Sequence, residues 1–305
     1  MFKTSERRNT ILGFAAILLW STTVALVRSI SEQIGPLTTG ASVYMVGGIL
    51  AVPFVLYNRK RRQSLRMLPK GYLFGCGALF IIYSTVLLIA LGMAENRSQA
   101  VELGLLNYLW PVLTILFSLL FFSEKTSLLL LPGIVLAFSG IYFVLLQDMT
   151  FSWQGFMNRL ISHPITYSLG LLAALSWALY SNLARYTAKD KGANGVPLFL
   201  LATGIVLYAM RFFFGENSIW NISVIAEIIV LGLATALAYI FWDAAMRKGN
   251  MILIVSASYL TPFFSTAFSL FYLNVKPGIG LWLGCLMIII GSFLSWKSID
   301  SRNTV

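Results

Sequence analysis

The chain consists of long apolar stretches separated by short polar connections. A helix needs about 20 apolar residues to cross a hydrocarbon core roughly 30 Å thick. Ten stretches reach that length, and they cover approximately residues 10–30, 36–57, 71–93, 98–122, 127–146, 165–187, 194–214, 223–245, 250–273 and 277–297. They are continuously apolar rather than alternating with a period of two, which favours helices over porin-like strands. The pattern predicts an all-α integral membrane protein with ten transmembrane helices.

Composition supports this prediction and excludes several other classes. Of 305 residues, 58% are hydrophobic and 11% are charged, and the mean hydropathy is +0.81. Soluble proteins usually carry about 25% charged residues, so this chain lacks the polar surface of a soluble enzyme. The longest connections, 58–70 and 147–164, are too short to fold alone. The first apolar stretch is too long for a signal peptide and is interpreted as a retained helix.

Lysine and arginine are distributed unevenly between the two ends of the predicted helices. Of the 22 basic residues, 17 fall on the side that holds both termini and five on the other side. Cytoplasmic loops carry the positive excess, so both termini are predicted to be cytoplasmic. Topology therefore accounts for the net charge of +11. Nucleic-acid binding is not expected, because the charge is scattered over loop ends. Residues 59–70 are interpreted as an orientation signal, with contact to anionic membrane lipid as the alternative.

Two segments of the first half of the chain are repeated in the second half. Residues 12–28 align with 169–185 with seven identities in 17 positions, among them Trp20 with Trp177. Residues 107–125 align with 258–276 with seven identities in 19 positions, among them Pro111 with Pro262. About two chance matches per window would be unremarkable in so leucine-rich a chain. The sequence therefore indicates an internal duplication.

The repeat is five helices long, and an odd number inverts the second copy relative to the membrane. We expect two inverted five-helix repeats, residues 1–150 and 151–305, that form one membrane domain around a central cavity. Inverted repeats suit alternating access, because the two halves can exchange conformations and open one face or the other. The alternative is a duplication that is retained only for packing.

Two prolines fall near the middle of the fourth and ninth predicted helices. Pro111 and Pro262 each remove a helix hydrogen bond and clash with the carbonyl four residues earlier, at Asn107 and Ser258. Kinked backbone at this depth is tolerated where it lines a cavity or is buried by protein. We therefore expect Pro111 and Pro262 to act as kinks, with Asn107 and Ser258 in a substrate site. A mechanical kink, with Asn107 bonded to a neighbouring helix, is the alternative.

Several aromatic residues lie far from the helix ends, where tryptophan is usually found. Trp20, Trp110 and Trp177 are all near mid-helix. An aromatic wall would stack planar substrates or hold a cation against a ring face. The predicted pocket also includes three tyrosines, Tyr83, Tyr108 and Tyr259. For any single residue of this group, lipid-facing or core packing is the alternative.

Few ionisable residues fall inside the predicted helices. Glu102 lies ~12 Å from the midplane, where a carboxylate could hold a substrate ammonium or bind a proton. The alternative is a rim residue paired with Arg97. Asp243 and Arg247 have the spacing of an ion pair within one helix. His163, in a loop, is interpreted as solvated.

The two cysteines, Cys76 and Cys285, are isolated in apolar stretches, so neither a metal site nor a disulfide framework is expected. The sequence predicts no cofactor. An intramembrane enzyme is not favoured, because no nucleophile, base or metal constellation assembles from these residue types.

Three strings resemble a known family. They are QAVELGLLNYLWPVLTILFSLLF at 99–121, LLWSTTVALVRSISEQIGP at 18–36 and PKGYLFG at 69–75. They resemble the aromatic amino acid exporters of the YddG-like group, in the EamA-type branch of the drug/metabolite transporter superfamily. The likeness runs along nearly the whole chain, and VELGLLNYLWP is specific to the subgroup.

The resemblance implies a multi-pass inner (plasma) membrane exporter whose cavity is lined by helices 1, 3, 4, 6, 8 and 9. Its substrates would be aromatic and other neutral amino acids, and efflux of planar or lipophilic cations such as paraquat is the alternative. A channel is a further alternative. No obligate protein partner is implied. By matching positions, six residues inherit a cavity role: Trp20, Glu102, Asn107, Tyr108, Trp110 and Trp177.

Overall fold

The computed structural model describes residues 4–57, 59–95, 97–122, 126–145, 153–188, 194–273 and 279–300. Within these ranges every regular element is helical. The α-helices are α1 (Thr4–Ser21), α2 (Thr23–Ile34), α3 (Pro36–Leu56), α4 (Arg59–Arg66), α5 (Gly77–Gly92), α6 (Arg97–Asn107), α7 (Trp110–Phe122), α8 (Leu130–Leu145), α9 (Trp153–Ser162), α10 (Pro164–Ala188), α11 (Val196–Arg211), α12 (Ile222–Lys248), α13 (Met251–Ala257), α14 (Thr261–Leu273) and α15 (Ile279–Asp300). A π-helical segment (Gly71–Cys76) precedes α5, and a 3₁₀ turn (Ser258–Leu260) joins α13 to α14.

Every predicted apolar stretch contains helix, but three of the ten are broken, and a fourth begins with a π-helical segment that continues directly into α5. Six stretches are single helices, namely α3, α8, α10, α11, α12 and α15. The other four consist of two or more helical segments in sequence. By length and hydropathy alone, three described helices could each cross a membrane: Pro36–Pro53 within α3, Gly71–Gly92, and α12. A fourth is obtained if α1 and α2 count as one span.

The break between α1 and α2 bends the chain by 41°. It falls at two hydroxyl residues that bond back to the helix. Ser21 donates to the Ile17 carbonyl at 2.8 Å, and Thr22 donates to the Leu19 carbonyl at 2.8 Å. Such back-bonding competes with the main-chain ladder and bends helices. The bend comes directly after Trp20, so Trp20 lies at the end of α1, next to the start of α2.

The other two mid-stretch breaks fall at the prolines. The helix α6 ends at Asn107 and α7 begins at Trp110, so that Pro111 occupies the second position of the new helix. Pro262 has the same place in α14, after the 3₁₀ turn. A proline is tolerated at the start of a helix, because its missing N–H has no partner there. The predicted kink at Pro111 is therefore a helix break, whereas before Pro262 a 3₁₀ turn joins α13 directly to α14.

Glycines bring helices from the two halves close together. A Cβ atom on Gly140 of α8 would lie 2.6 Å from the Gly284 carbonyl of α15. A Cβ atom on Gly133 would lie 2.7 Å from the Ser295 amide. The order of these contacts shows that α8 and α15 run antiparallel. Small residues at such a crossing let the two backbones approach, as is common between membrane helices.

The packing partners of the helices are reciprocal. The helix α1 packs on α12 and α5 packs on α10, while α3 packs on α12 and α5 packs on α11. Likewise α7 packs on α10 and α1 packs on α14. The contacts come in pairs. If each of the first five apolar stretches is exchanged with its counterpart among the second five, one contact of each pair becomes the other. Two further contacts join counterparts directly, namely α3 with α11 and α8 with α15. The same exchange leaves each of these two contacts unchanged.

The connections at one end of the bundle are ordered by specific bonds. The Glu216 carboxylate, in the loop between α11 and α12, accepts from the amides of Leu37 and Thr38 at 2.7 and 2.8 Å. It also accepts from the Thr38 hydroxyl at 2.6 Å. The first amides of a helix have no partner within it, so this carboxylate caps α3.

The helix α9 corrects the prediction that 147–164 is only a connection.

Candidate substrate-binding cavity

A cavity of about 400 Å³ lies in the middle of the bundle. Its walls come from α1, α2, α3, α5, α6, α7, α10, α12 and α14. Its lining residues are Trp20, Thr23, Val27, Arg28, Thr39, Gly40, Val43, Tyr44, Tyr83, Ser84, Leu87, Leu88, Leu91, Asn107, Tyr108, Trp110, Trp177, Thr235, Tyr239 and Thr261. None of these residues belongs to α8 or α15, which pack on each other. Arg28, at the exposed end, is the charged residue among them.

Aromatic rings in mutual contact form one end of the cavity. The Trp20 ring lies 5.7 Å from the Trp177 ring and 5.4 Å from the Tyr239 ring, in edge-to-face geometry. Tyr83 lies 4.8 Å from Trp177. These separations are in the range where aromatic pairs attract each other beyond simple burial. The rings therefore form a preorganised apolar surface that a planar substrate can contact.

Trp242 closes the space behind these rings. Its side chain is fully buried, and its ring centroid lies 5.0 Å from that of Trp20 and 5.3 Å from that of Trp110. It is also stacked on Trp177 at 6.2 Å, and its Nε1–H donates to Ser181 at 3.3 Å. The lining residues thus rest on a packed layer beneath the cavity floor.

Besides the Ser84 hydroxyl, three polar atoms in the cavity wall are buried without a hydrogen-bond partner among the described residues. They are the indole Nε1–H of Trp20, the Oδ1 of Asn107 and the hydroxyl of Thr261. An unpartnered buried polar group costs roughly 1–3 kcal/mol, so such groups call for an explanation. One donor, one acceptor and one hydroxyl, carried by three different helices, provide partners for a polar ligand.

Sequence and structure comparisons identify the family. The EamA-like transporter family matches residues 8–146 and again residues 164–297. The chain belongs to the EamA-like transporter family. As its apolar helices also indicate, this EamA-like transporter is a multi-pass membrane protein.

Named relatives cover almost the whole length of this transporter. The aromatic amino acid exporter YddG of Escherichia coli (strain K12) is 35% identical over 293 residues, which is 96% of this chain and 98% of the relative. The aromatic amino acid exporter YddG of Salmonella typhimurium is 33% identical over 299 residues, which is 98% of this chain and 100% of that one. A solved crystal structure with 26% sequence identity superposes with a TM-score of 0.78, covering 98% of this chain and 100% of that chain.

Six of the nine predicted substrate-binding residues of this EamA-like transporter line the cavity: Trp20, Tyr83, Asn107, Tyr108, Trp110 and Trp177. Ser258 and Tyr259 lie elsewhere. The Ser258 hydroxyl donates to the Val255 carbonyl at 2.6 Å, and Tyr259 is buried against the α8–α15 pair. Thr261, three residues after Ser258 and at the start of α14, lines the cavity instead.

Glu102 also lies outside the cavity lining. Its carboxylate is 3% exposed, is paired with Arg159 of α9 and accepts a hydrogen bond from Tyr167 of α10. The pKa of the Arg159 guanidinium is raised, mainly by its hydrogen bond to the Glu102 carboxylate. The expected role of Glu102 in substrate binding is revised accordingly, because its partners join α6 to the α9–α10 corner. The alternative partner from the sequence, Arg97, has a side chain outside the described set.

Two other polar predictions can be compared with the structure. The expected ion pair between Asp243 and Arg247 is confirmed, at 2.8 Å. His163 lies between α9 and α10 with its Nε2 atom 3.3 Å from the Glu95 carboxylate. Its side chain is 29% exposed, so it has both a solvent-facing edge and a protein partner.

Two tyrosines that the sequence patterns did not single out complete the aromatic wall. Tyr44 and Tyr239 stack with ring centroids 6.2 Å apart and share a hydrogen bond of 3.1 Å between their hydroxyls. Both are mid-helix aromatics, the same signal that indicated Trp20. In addition, the separation of Tyr83 and Tyr239 along the chain lies between the two shifts that align the repeated segments. Tyr239 is therefore the counterpart of Tyr83 in the second half. A search for repeat-related aromatics would have identified Tyr239.

Proposed function

We propose that this transporter exports aromatic amino acids, and accepts other neutral amino acids, by alternating access. The observation that supports this most directly is an aromatic cavity that holds unpartnered polar atoms, Trp20 Nε1, Asn107 Oδ1 and Thr261 Oγ1. The two YddG relatives, named as aromatic amino acid exporters, support the same substrate class. Translocation leaves the substrate unmodified, so the protein has no enzymatic role in this proposal.

The proposed topology has ten membrane spans in two inverted five-helix repeats, residues 1–150 and 151–305. Three observations support it. The family matches the chain twice, the helix contacts are reciprocal between the halves, and α8 and α15 cross antiparallel at paired glycines. The excess of basic residues at one end of the predicted helices supports an inner-membrane orientation with both termini on the cytoplasmic side.

In this orientation the cavity faces outward. Its walls extend from the rings of Trp20 and Tyr83 to Arg28 and Leu91, which are at the predicted outer ends of their helices. The opposite end is closed by Trp242. In the proposed transport cycle this arrangement is the state that releases substrate to the outside.

An amino acid would be recognised without a charged side chain deep in the cavity. Its ring would contact Trp20, Trp177 and Tyr239. Its ammonium group would donate to Asn107 Oδ1, and its carboxylate would accept from Trp20 Nε1 and the Thr261 hydroxyl. A zwitterion moved into a low-dielectric site loses several kcal/mol unless both of its charges find partners. The three orphaned atoms are of the right type for this purpose.

The test is counterflow of labelled phenylalanine in proteoliposomes. We expect uptake that unlabelled phenylalanine and tryptophan compete away. Asn107→Leu should raise the apparent KM by about tenfold, the effect of losing a hydrogen bond to a charged group. Leu120→Ala, on α7 but 77% exposed, is the matched control and should transport normally. Unchanged counterflow after combined Trp20→Ala, Trp110→Ala and Trp177→Ala substitutions would refute the proposal.

Efflux of planar cations is a second candidate, favoured by the ring faces around the cavity. A cation within about 6 Å of a tryptophan or tyrosine ring is attracted to its face. In this case paraquat should compete with labelled phenylalanine, and cells that produce the protein should become paraquat-resistant. Paraquat resistance in cells without any amino-acid counterflow in proteoliposomes would make cations the substrate.

A further inference from the structure

A buried charged cluster lies beneath the cavity floor, next to Trp242. Asp243 is fully buried and Arg247 is 3% exposed. The Asp243 carboxylate pairs with Arg247 at 2.8 Å and accepts from the Tyr72 hydroxyl at 2.8 Å and from the Tyr180 hydroxyl at 3.2 Å. We call Tyr72, Tyr180, Asp243 and Arg247 the lower cluster.

The lower cluster ties together segments from both halves of the chain. Tyr72 belongs to the π-helical segment before α5, whereas Tyr180 belongs to α10 and the two charged residues belong to α12. The Tyr72 hydroxyl also accepts from the Gly195 amide at 3.2 Å, just before α11. Arg247 donates to the Ala188 carbonyl, at the end of α10, at 3.2 Å. A π-helical segment is often found at a functional position rather than a structural one.

The position of the lower cluster along the chain connects it to the cavity floor. Asp243 follows Trp242 directly, and Trp242 seals the space behind the rings of Trp20 and Trp110. A movement of this part of α12 away from α10 and the π-helical segment would open the floor and separate Asp243 from Tyr72 and Tyr180. The charged residues and the indole therefore form one unit.

The physical properties of a buried ion pair suit a gate that must open. Removing two charges from water costs several kcal/mol per ion, so such a pair adds little net stability. It does, however, impose one arrangement on the groups around it. When the end of the bundle opens and water enters, both charges are hydrated, which offsets the lost contact. The closed and open arrangements can then be close in free energy.

We propose that the lower cluster is the latch of the cytoplasmic gate, with Asp243 as its central positioning residue. This inference rests on the proposed topology and transport cycle. With the latch formed, the floor is closed and the cavity faces outward. With the latch broken, the π-helical segment, α10 and α12 separate, and the cavity opens to the cytoplasm.

Cys76 provides a native reporter of this opening. It is fully buried in the π-helical segment. In a Cys285→Ser background, its alkylation by a membrane-impermeant maleimide in inside-out vesicles measures access from the cytoplasmic side. Asp243→Asn should increase the alkylation rate by about tenfold or more, because Arg247 loses its charged partner. Asp243→Glu keeps the charge and should restore a rate near that of the parent.

Two further variants separate a latch from a simple loss of packing. The double variant Asp243→Asn, Arg247→Gln leaves no unpaired buried charge, so it should fold well and still expose Cys76. Leu91→Cys, placed at the outer mouth in a Cys76→Ser, Cys285→Ser background, should be alkylated more slowly from outside when Asp243→Asn is added. General loosening would speed both reactions, whereas a shift to the inward-open state slows the outer one.

The proposal is overturned if a folded Asp243→Asn protein, or the folded double variant, leaves Cys76 as protected as in the parent. Faster alkylation at both ends of the bundle would also refute it. None of these assays uses substrate. If Cys76 responds as expected while amino-acid counterflow fails, the gate stands and the proposed substrate is wrong.

Discussion

Trp20 and Trp177 occupy equivalent positions in the two repeated segments, and their rings meet edge to face 5.7 Å apart. Residues that are 157 positions apart in the chain are thus direct neighbours at the cavity floor. Such a contact is expected of the proposed inverted repeat, in which an axis that relates the two halves passes close to both side chains. The cavity therefore lies where the two halves meet, and both contribute aromatic surface to it.

The first prediction concerns the aromatic surface at Trp20. Trp20→Leu should raise the apparent KM for phenylalanine by about tenfold, since an aromatic pair contributes roughly 0.5–1.5 kcal/mol beyond its buried area. Trp20→Phe should have a smaller effect, because a ring remains. The measurement is counterflow with phenylalanine and alanine as competing substrates. Trp282→Leu, 60% exposed on α15, is the control and should not change the preference. An unchanged ratio of the two substrates in Trp20→Leu would contradict a role for this indole in ring recognition.

The sequence predicts much of the architecture because its main signals are local. Apolar stretches of sufficient length locate the helices, and a proline predicts a break close to its own position. Mid-helix tryptophans are unusual enough to indicate the cavity. Each of these signals depends on a residue and its immediate neighbours, which a single chain displays directly.

The contacts that the sequence does not predict are those between distant segments. Glu102 pairs with Arg159, 57 residues away, in a stretch that reads as a plain connection. The carboxylate's depth in the predicted helix gave no indication of which partner would reach it. Likewise, Thr261 rather than Ser258 lines the cavity. Residues three apart lie on nearly the same helix face, so the position of the proline does not by itself distinguish Ser258 from Thr261.

The second prediction concerns the ion pair of Glu102 and Arg159, whose two members differ in burial. Arg159→Gln should destabilise the protein by ~3–5 kcal/mol, because it leaves a carboxylate that is 3% exposed without its cation. Glu102→Gln should cost less, roughly 1–2 kcal/mol, because Arg159 is 28% exposed and can be hydrated. Thermal unfolding in detergent measures both. Arg28→Gln breaks an exposed pair with Glu32 and should change stability by less than about 1 kcal/mol. Equal losses for the first two variants would show that burial does not govern this pair.

The third prediction concerns the cap that the α11–α12 loop provides for α3. Glu216→Ala removes the acceptor for the Leu37 and Thr38 amides and should cost about 1–2 kcal/mol. Glu216→Gln keeps one acceptor oxygen and should cost less. Hydrogen exchange at the first turn of α3 is the measurement, and faster exchange is expected there before it rises elsewhere. Uniform acceleration throughout the protein would indicate a global loss of stability rather than a lost cap.

The last prediction concerns the glycines where α8 crosses α15. In Gly140→Ala the new methyl group would lie 2.6 Å from the Gly284 carbonyl and 2.7 Å from Ile288 Cγ1. Backbone cannot yield as a flexible side chain does, so the helices must separate, at a cost of roughly 1–3 kcal/mol. Gly92→Ala is the matched control, because nothing lies within 4 Å of a Cβ atom there and alanine favours a helix. We expect a lower unfolding temperature for Gly140→Ala and an unchanged or higher one for Gly92→Ala. Since α8 and α15 supply none of the described lining residues, the apparent KM for phenylalanine should be unchanged in both variants. A raised KM in Gly140→Ala would mean that this helix pair moves with the cavity during transport instead of supporting it from outside.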